Sequence, residues 1–242
     1  LNAKVVFLHH LDVAIPSMAN AEQRSQYASQ EKEDAWGRLR ELTQSESFIE
    51  KDFKITEKEI LPALNELRNE RYHDIVLTGL KGAGVFKQLF IGSTTLKIVN
   101  ESDLLTMAVP PKLKPFVPEQ LVVAVHPRFP VNQKRFNEFL SGFSGQIKGI
   151  EFCSIVTKND DEQKINDYLG DMKEAYQEYS PAIQTFKGED AFTEIKDYMT
   201  QKNDAFLVLQ QGSRSLKDRL FRKLMINDLV YYASTPLIVI PE

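Results

Sequence analysis

Downstream of residue 119, short unbroken apolar runs alternate with longer stretches that are apolar on one face only. Leu121 to Val125 is continuous, Phe136, Phe139, Leu140 and Phe143 recur at helical spacing, and IEFCSIV at 150–156 is the next run. Ile165, Leu169, Met172 and Tyr176 step by four, three and four, which gives a helix one apolar face. The series continues with AIQTF at 182–186, a helix carrying Phe192, Ile195 and Met199, and AFLVL at 205–209. A helix through Leu220, Leu224 and Leu229 and the run PLIVI at 236–240 complete it. Runs that are apolar on both faces need cover on both faces. The prediction is an α/β fold, five parallel strands with four helices joined by right-handed crossovers.

The first part of the chain follows the same plan. HDIVLTGLKGAG, then STTLKIVNESDLLTMAVP ending at Pro110, is matched by NDAFLVLQQGSRS, then INDLVYYASTPLIVIP ending at Pro241. An offset of about 130 residues is domain duplication and not a solenoid repeat. PPKLKPFVPE, with four prolines, reads as a linker between the copies. The expected organisation is a first domain at 1–110, a linker at 111–119 and a second domain at 120–242. In the first copy AKVVFLHHL corresponds to GIEFCSIVT. A helix at about 21–43 with Trp36, Leu39 and Leu42, a weaker strand DFKITEKEI, a helix with Ile60, Leu64 and Leu67, DIVLTG, a short helix and LLTMAV follow. What precedes IEFCSIV in the second copy, one strand and one helix, has no counterpart ahead of AKVVFLHHL. Unpaired strand edges would remain there, so either a segment upstream of Leu1 supplies the strand, which is the expectation, or another segment or subunit fills the slot.

Lys plus Arg number 30 against 34 Asp plus Glu, a net charge of −4 that gives nucleic acid and anionic membranes no purchase. Apolar residues make up 42% of the chain, enough for real cores, and no run approaches membrane-spanning length. Cys153 is the only cysteine, which excludes an internal disulfide framework and suits a buried small hydrophobe. The expectation is a soluble cytoplasmic protein. His9, His10, His73 and His126 show no metal-ligand spacing with Cys153, and no Ser, His and acid set assembles, so neither a metal nor catalysis is expected. NDDEQ at 159–163 reads as a helix start, and RSLKDRLFRK at 214–223 as a solvated helix face.

The stretch TGLKGAGVFKQLFIGST, Thr78 to Thr94, carries Gly79, Gly82, Gly84 and Gly92 with Ser93 directly after. Gly79 falls at the carboxyl end of a predicted parallel strand, where open α/β sheets bind ligands. Glycines there let backbone approach a ribose or phosphate closely, and Gly92 with Ser93 opens a helix whose first N–H groups attract an anion. A flexible surface turn with ordinary helix capping would use the same residues. The Walker signature and G-x-G-x-x-G after a first strand are both absent.

G-x-x-G, nine residues, then G-[ST] resembles the universal stress proteins, whose nucleotide-binding members carry this pattern. Gly79, Gly82, Gly92 and Ser93 stand at its positions, Pro110 closes the following strand, and VVFLHH looks like the family's second strand. The resemblance implies two flavodoxin-like domains in tandem, with sheet order 3-2-1-4-5 in the complete copy. It further implies ATP or AMP as ligand of the first domain, a homodimer, and a non-enzymatic role in stress response. By position, Thr78, Gly79, Gly82, Gly92, Ser93 and Thr94 would contact phosphates and ribose, and His10 would lie near the adenine; His9 is read as structural. The second copy departs from the pattern. His126 stands where the family's binders usually have Asp, Gly212 alone matches Gly82, and Arg222, Lys223 and Leu224 fall where Gly92 and Ser93 would be. No nucleotide is expected there.

Overall fold

The computed structural model describes residues 3–11, 18, 20–44, 50–69, 72–79, 93–110, 117–188, 191–202, 204–213 and 235–242. They fall into two compact units, Leu1–Arg68 and Asn69–Glu242.

The first unit contains β1 (Lys4–His10), α1 (Ala21–Leu42), β2 (Glu50–Thr56) and α2 (Ile60–Leu67). β1 and β2 pair in parallel, Lys4 opposite Glu50 through His10 opposite Thr56. α1 starts at a capping box in which the Asn20 side chain accepts from Gln23 N–H at 2.9 Å and the Gln23 side chain accepts from Asn20 N–H at 3.0 Å. The last turns of α1 carry its packing. Ala35 is buried, and Trp36 meets Phe53 of β2 edge-on at 5.8 Å, which in turn stacks on Phe7 of β1 at 5.4 Å. DFKITEKEI is not one strand to its end. The Thr56 hydroxyl accepts from Lys58 N–H at 3.0 Å and turns the chain out of the ladder, and α2 then starts at Ile60. Pro62 sits in the first turn of α2, where no N–H is needed.

The second unit contains β3 (Ile75–Gly79), α3 (Ser93–Glu101), β4 (Leu105–Val109), β5 (Gln120–Ala124), α4 (Gln133–Gly142) and β6 (Gly149–Val156). It continues with α5 (Glu162–Ala175), β7 (Ala182–Lys187), α6 (Ala191–Thr200), β8 (Ala205–Gln210) and β9 (Leu237–Ile240). One sheet runs through it in the order β3-β4-β9-β8-β5-β6-β7. The second copy therefore has its five strands in the order 3-2-1-4-5, all parallel, as expected for a flavodoxin-like domain. The helix through Leu220, Leu224 and Leu229, the RSLKDRLFRK stretch and most of the proline-rich segment lie outside the described residues.

Strand side chains alternate between two apolar layers. Ala205, Leu207 and Leu209 of β8 join Ile195 and Met199 of α6 and Val99 of α3 on one face. Phe206 and Val208 join Phe136, Phe139 and Leu140 of α4 and Ile165, Leu169 and Met172 of α5 on the other. Period two along strands and 3.6 along helices is thus satisfied on both sides of the sheet. Cys153 of β6 is fully buried, and burial followed by the Glu151 charge pushes its thiol up to about 12. A thiol-specific reagent should leave the native protein unlabelled and react fully on unfolding, a difference read by mass spectrometry.

The first copy is distributed in a way its sequence does not show. β4 joins β9 antiparallel, with Thr106 opposite Val239 and Ala108 opposite Leu237, so β3 and β4 extend the sheet of the second copy. The division between the compact units lies within the first repeat and not at the proline-rich stretch. In the second copy β5 ties β6 to β8 by hydrogen bonds on both sides.

Candidate functional site

At the carboxyl end of β3, Thr78 pairs with Ala108 and Gly79 with Val109, and the chain leaves the sheet. It re-enters helix at Ser93. Thr95, in the first turn of α3, is buried at 4% exposure. Its hydroxyl donates to the Gly79 carbonyl at 3.1 Å, so the Thr78 hydroxyl is the donor in the 2.9 Å contact between the two threonines. The tip of β3 and the start of α3 are clasped together, each bond contributing about 0.5–1.5 kcal/mol. No described residue lies within 4 Å of where a Cβ on Gly79 would stand. The first N–H groups of α3 have no partner within the helix, so this corner presents backbone donors beside a bare strand end.

Of the residues singled out by sequence, the structure brings Thr78, Gly79, Ser93 and Thr94 to this corner; Thr94 is exposed, and Ser93 is the first helical residue. Gly82, Gly84 and Gly92 lie outside the described residues. His10 closes β1 in the other compact unit, opposite Thr56. Its neighbour His9 is half-buried, and desolvation, then the charges of Arg38 and His10, hold it below the usual imidazole range, in keeping with a structural residue.

The matching crevice of the second copy lies at the carboxyl ends of β5 and β8, the strands at which the sheet order reverses. Described side chains bond across it. Gln210, buried at 4% exposure, accepts from Asn132 N–H at 2.8 Å and donates to the Pro241 carbonyl at 3.3 Å. Gly212 has φ +73°, and the Glu242 carboxylate occupies the place a side chain at that glycine would take. A carboxylate there repels a phosphate.

Beside it a polar cluster ties the loop after β5 to the loop after β6. The Asp160 side chain is 1% exposed. It accepts from Thr157 N–H at 2.8 Å and from the Thr157 hydroxyl at 2.7 Å, and pairs with the Arg128 guanidinium. Arg128 N–H donates to His126 Nδ1 at 3.1 Å, which leaves the imidazole proton on Nε2, 3.3 Å from Asp160 Oδ1. In NDDEQ, then, Asp161 is the helix N-cap, accepting from Gln163 and Lys164 N–H, while Asp160 makes the inter-loop contact.

Sequence reading missed Thr95, Gln210 with Asn132, and Asp160 with Arg128. Thr95 carried one usable signal: in STT the third residue falls within the first helical turn, and it is buried. The other pairs join residues far apart in the chain and leave no local pattern. Among the described residues no group of three or more His, Cys, Asp or Glu is placed to hold a metal ion, and no helix is long and apolar enough to cross a membrane.

The universal stress protein family model matches residues 1–110, the span that contains the glycine pattern and the Thr78–Thr95 clasp. Residues 1–110 belong to the universal stress protein family. No curated protein matches the sequence. Among solved structures it is similar to a universal stress protein from Archaeoglobus fulgidus DSM 4304, 13% identical, covering 99% of this chain and 86% of that one at a TM-score of 0.63. A second is a protein of Pseudomonas aeruginosa UCBPP-PA14 described as a candidate universal stress protein, 11% identical, with 98% and 92% covered at 0.56. A third, of unknown function, comes from Pseudomonas aeruginosa PAO1, also 11% identical, with 98% and 92% covered at 0.57. At these identities the likeness is one of fold. It extends over almost all of this chain, including the second copy.

Proposed function

We propose that this universal stress protein works in stress response by binding an adenine nucleotide, ATP or AMP, in its first copy, without catalysing a reaction on it. Thr78, Gly79 and Gly82 would meet the ribose and phosphates from the strand side, and Gly92, Ser93 and Thr94 from the helix side. The observation that carries the reading is the Thr95 clasp, which holds a strand tip without a side chain beside a helix start. The contrast with the second copy supports it. There a glutamine, an asparagine and a glutamate take up the corresponding space, and that half serves as scaffold. A homodimeric state and residence in the cytoplasm belong to the same proposal.

Nucleotide would act by ordering residues 80–92 against the corner. Titration calorimetry of the protein with ATP, AMP and ADP tests this directly. Gly82→Val puts a β-branched side chain where backbone must approach phosphate, and should weaken binding by about 100-fold or more while the unfolding midpoint stays in place. Unchanged affinity in that variant counts decisively against the site.

A further inference from the structure

The two ends of α3 are held by different copies. Its first turn is clasped to the tip of β3 through Thr95. β4 runs antiparallel to β9 and β9 parallel to β8, so the end of α3 that leads into β4 arrives at the carboxyl end of β8. There the Gln211 side-chain amide donates to the Val99 carbonyl at 3.3 Å and to the Ser102 carbonyl at 3.1 Å. Its oxygen accepts from Glu242 N–H at 3.4 Å, which sets the orientation of the amide. The last carbonyls of a helix lack partners within it, and Val99 and Ser102 are 1% and 6% exposed, too enclosed for water to replace the donor. One side chain of the second copy thus caps a helix of the first.

Gln211 is itself firmly held. It is the second residue of a four-residue turn closed by Ser213 N–H on the Gln210 carbonyl at 3.2 Å, with Gly212 third at φ +73°. Its own N–H donates to the Ile240 carbonyl at 2.7 Å, and the Gln210 side chain is bonded to Asn132 and Pro241. The duplication gives this turn its meaning. DIVLTGLKG aligns with DAFLVLQQG, which sets Gln211 at the position of Lys81, directly before Gly82 of the glycine pattern. The second copy turns toward a neighbouring helix the loop that the first copy is read as turning toward a ligand.

We infer that Gln211 is a positioning residue for the first copy's corner: by capping α3 it sets how Ser93 and Thr95 stand against Thr78 and Gly79. α3 has nine residues and is about 13 Å long. A rod this short moves as one body, so freedom at its last turn reaches its first. Through the cap the second copy tunes the affinity of the first for nucleotide. That step rests on the nucleotide reading above; the cap and its reach along α3 do not.

Amide hydrogen exchange and ATP titration on full-length variants test the two separately. Gln211→Met keeps the length and loses both donors, Gln211→Glu adds an anion beside the carbonyl end of a helix, and Gln211→Lys returns donors with a charge that this end favours. Without nucleotide, exchange at Ser102 and, in the first turns, at Lys97 and Ile98 should quicken by about fivefold or more in Gln211→Met and further in Gln211→Glu. In Gln211→Lys it should stay within about twofold of the wild type, and amides of α5 and β7 should not change in any variant. ATP affinity should fall in the same order, by about fivefold or more in Gln211→Met. Quickening confined to Ser102, or a Gln211→Glu variant that behaves as the wild type, overturns the inference. Binding of ATP with equal affinity by all four proteins overturns it as well. Absence of ATP binding by the wild type contradicts the nucleotide reading alone, and the exchange order then supports or overturns the cap by itself.

Discussion

Phe152→Ala should destabilise the unit at 69–242 by about 3–5 kcal/mol. Phe152 lies in the middle of β6, flanked in the sheet by Val123 and Ile183, with no exposed surface. Its ring meets Tyr176 at 5.5 Å, and Tyr176 meets Phe136 of α4 at 5.3 Å, so one side chain joins the sheet to the layer of helices over it. Truncation removes the transfer energy of the ring and leaves a cavity that a parallel strand paired on both sides cannot collapse into. For a unit of this size the unfolding temperature should fall by about 6–20 °C, followed by circular dichroism. Phe152→Leu refills most of the space and should cost less than about 1.5 kcal/mol. Equal losses in the two variants would show that the ring's volume is not what holds the layers together.

Asp160→Ala should cost about 2–3 kcal/mol, the largest effect expected of a polar substitution in the second copy. The carboxylate is buried and answered on every side, by the Thr157 N–H and hydroxyl, by Arg128 and by His126. Arg128 is half-exposed and regains water when its partner is removed, which keeps the loss below that of a fully buried pair. Thr157 and His126 are more enclosed, and the loops after β5 and β6 lose their common anchor. Calorimetric unfolding gives the energy, and amide exchange in residues 125–130 and 157–160 should rise together. Nucleotide affinity should not change, since the proposed site belongs to the first copy. A parallel fall in affinity would place the ligand in the second copy instead and contradict the assignment.

The alternation of apolar runs with one-faced helices was enough to place nearly every described element of the second copy, because a strand covered on both faces and a helix covered on one leave different periodicities. LVVAV, IEFCSIV, AIQTF, AFLVL and PLIVI are all strands, and α1 begins and ends within a residue of its expected bounds. Thr78, Gly79, Ser93 and Thr94 were legible as one corner for a related reason. A strand end, a glycine pattern and a helix start follow one another in the chain, so local chemistry announces the site. Where β2 stops was not legible, because a single threonine side chain bonding two residues ahead decides it.

The amino-acid sequence by itself determined the α/β class, the duplication, the burial of Cys153 and the position of the glycine corner, since each depends on residue type and spacing along one stretch. Only the tertiary structure decided that β4 joins β9 and makes one sheet of parts of both copies, and that Gln210 bonds Asn132 and Pro241 while Glu242 stands against Gly212. Those outcomes depend on pairs of residues distant in the chain competing for the same space and the same hydrogen bonds. No local pattern encodes the winner.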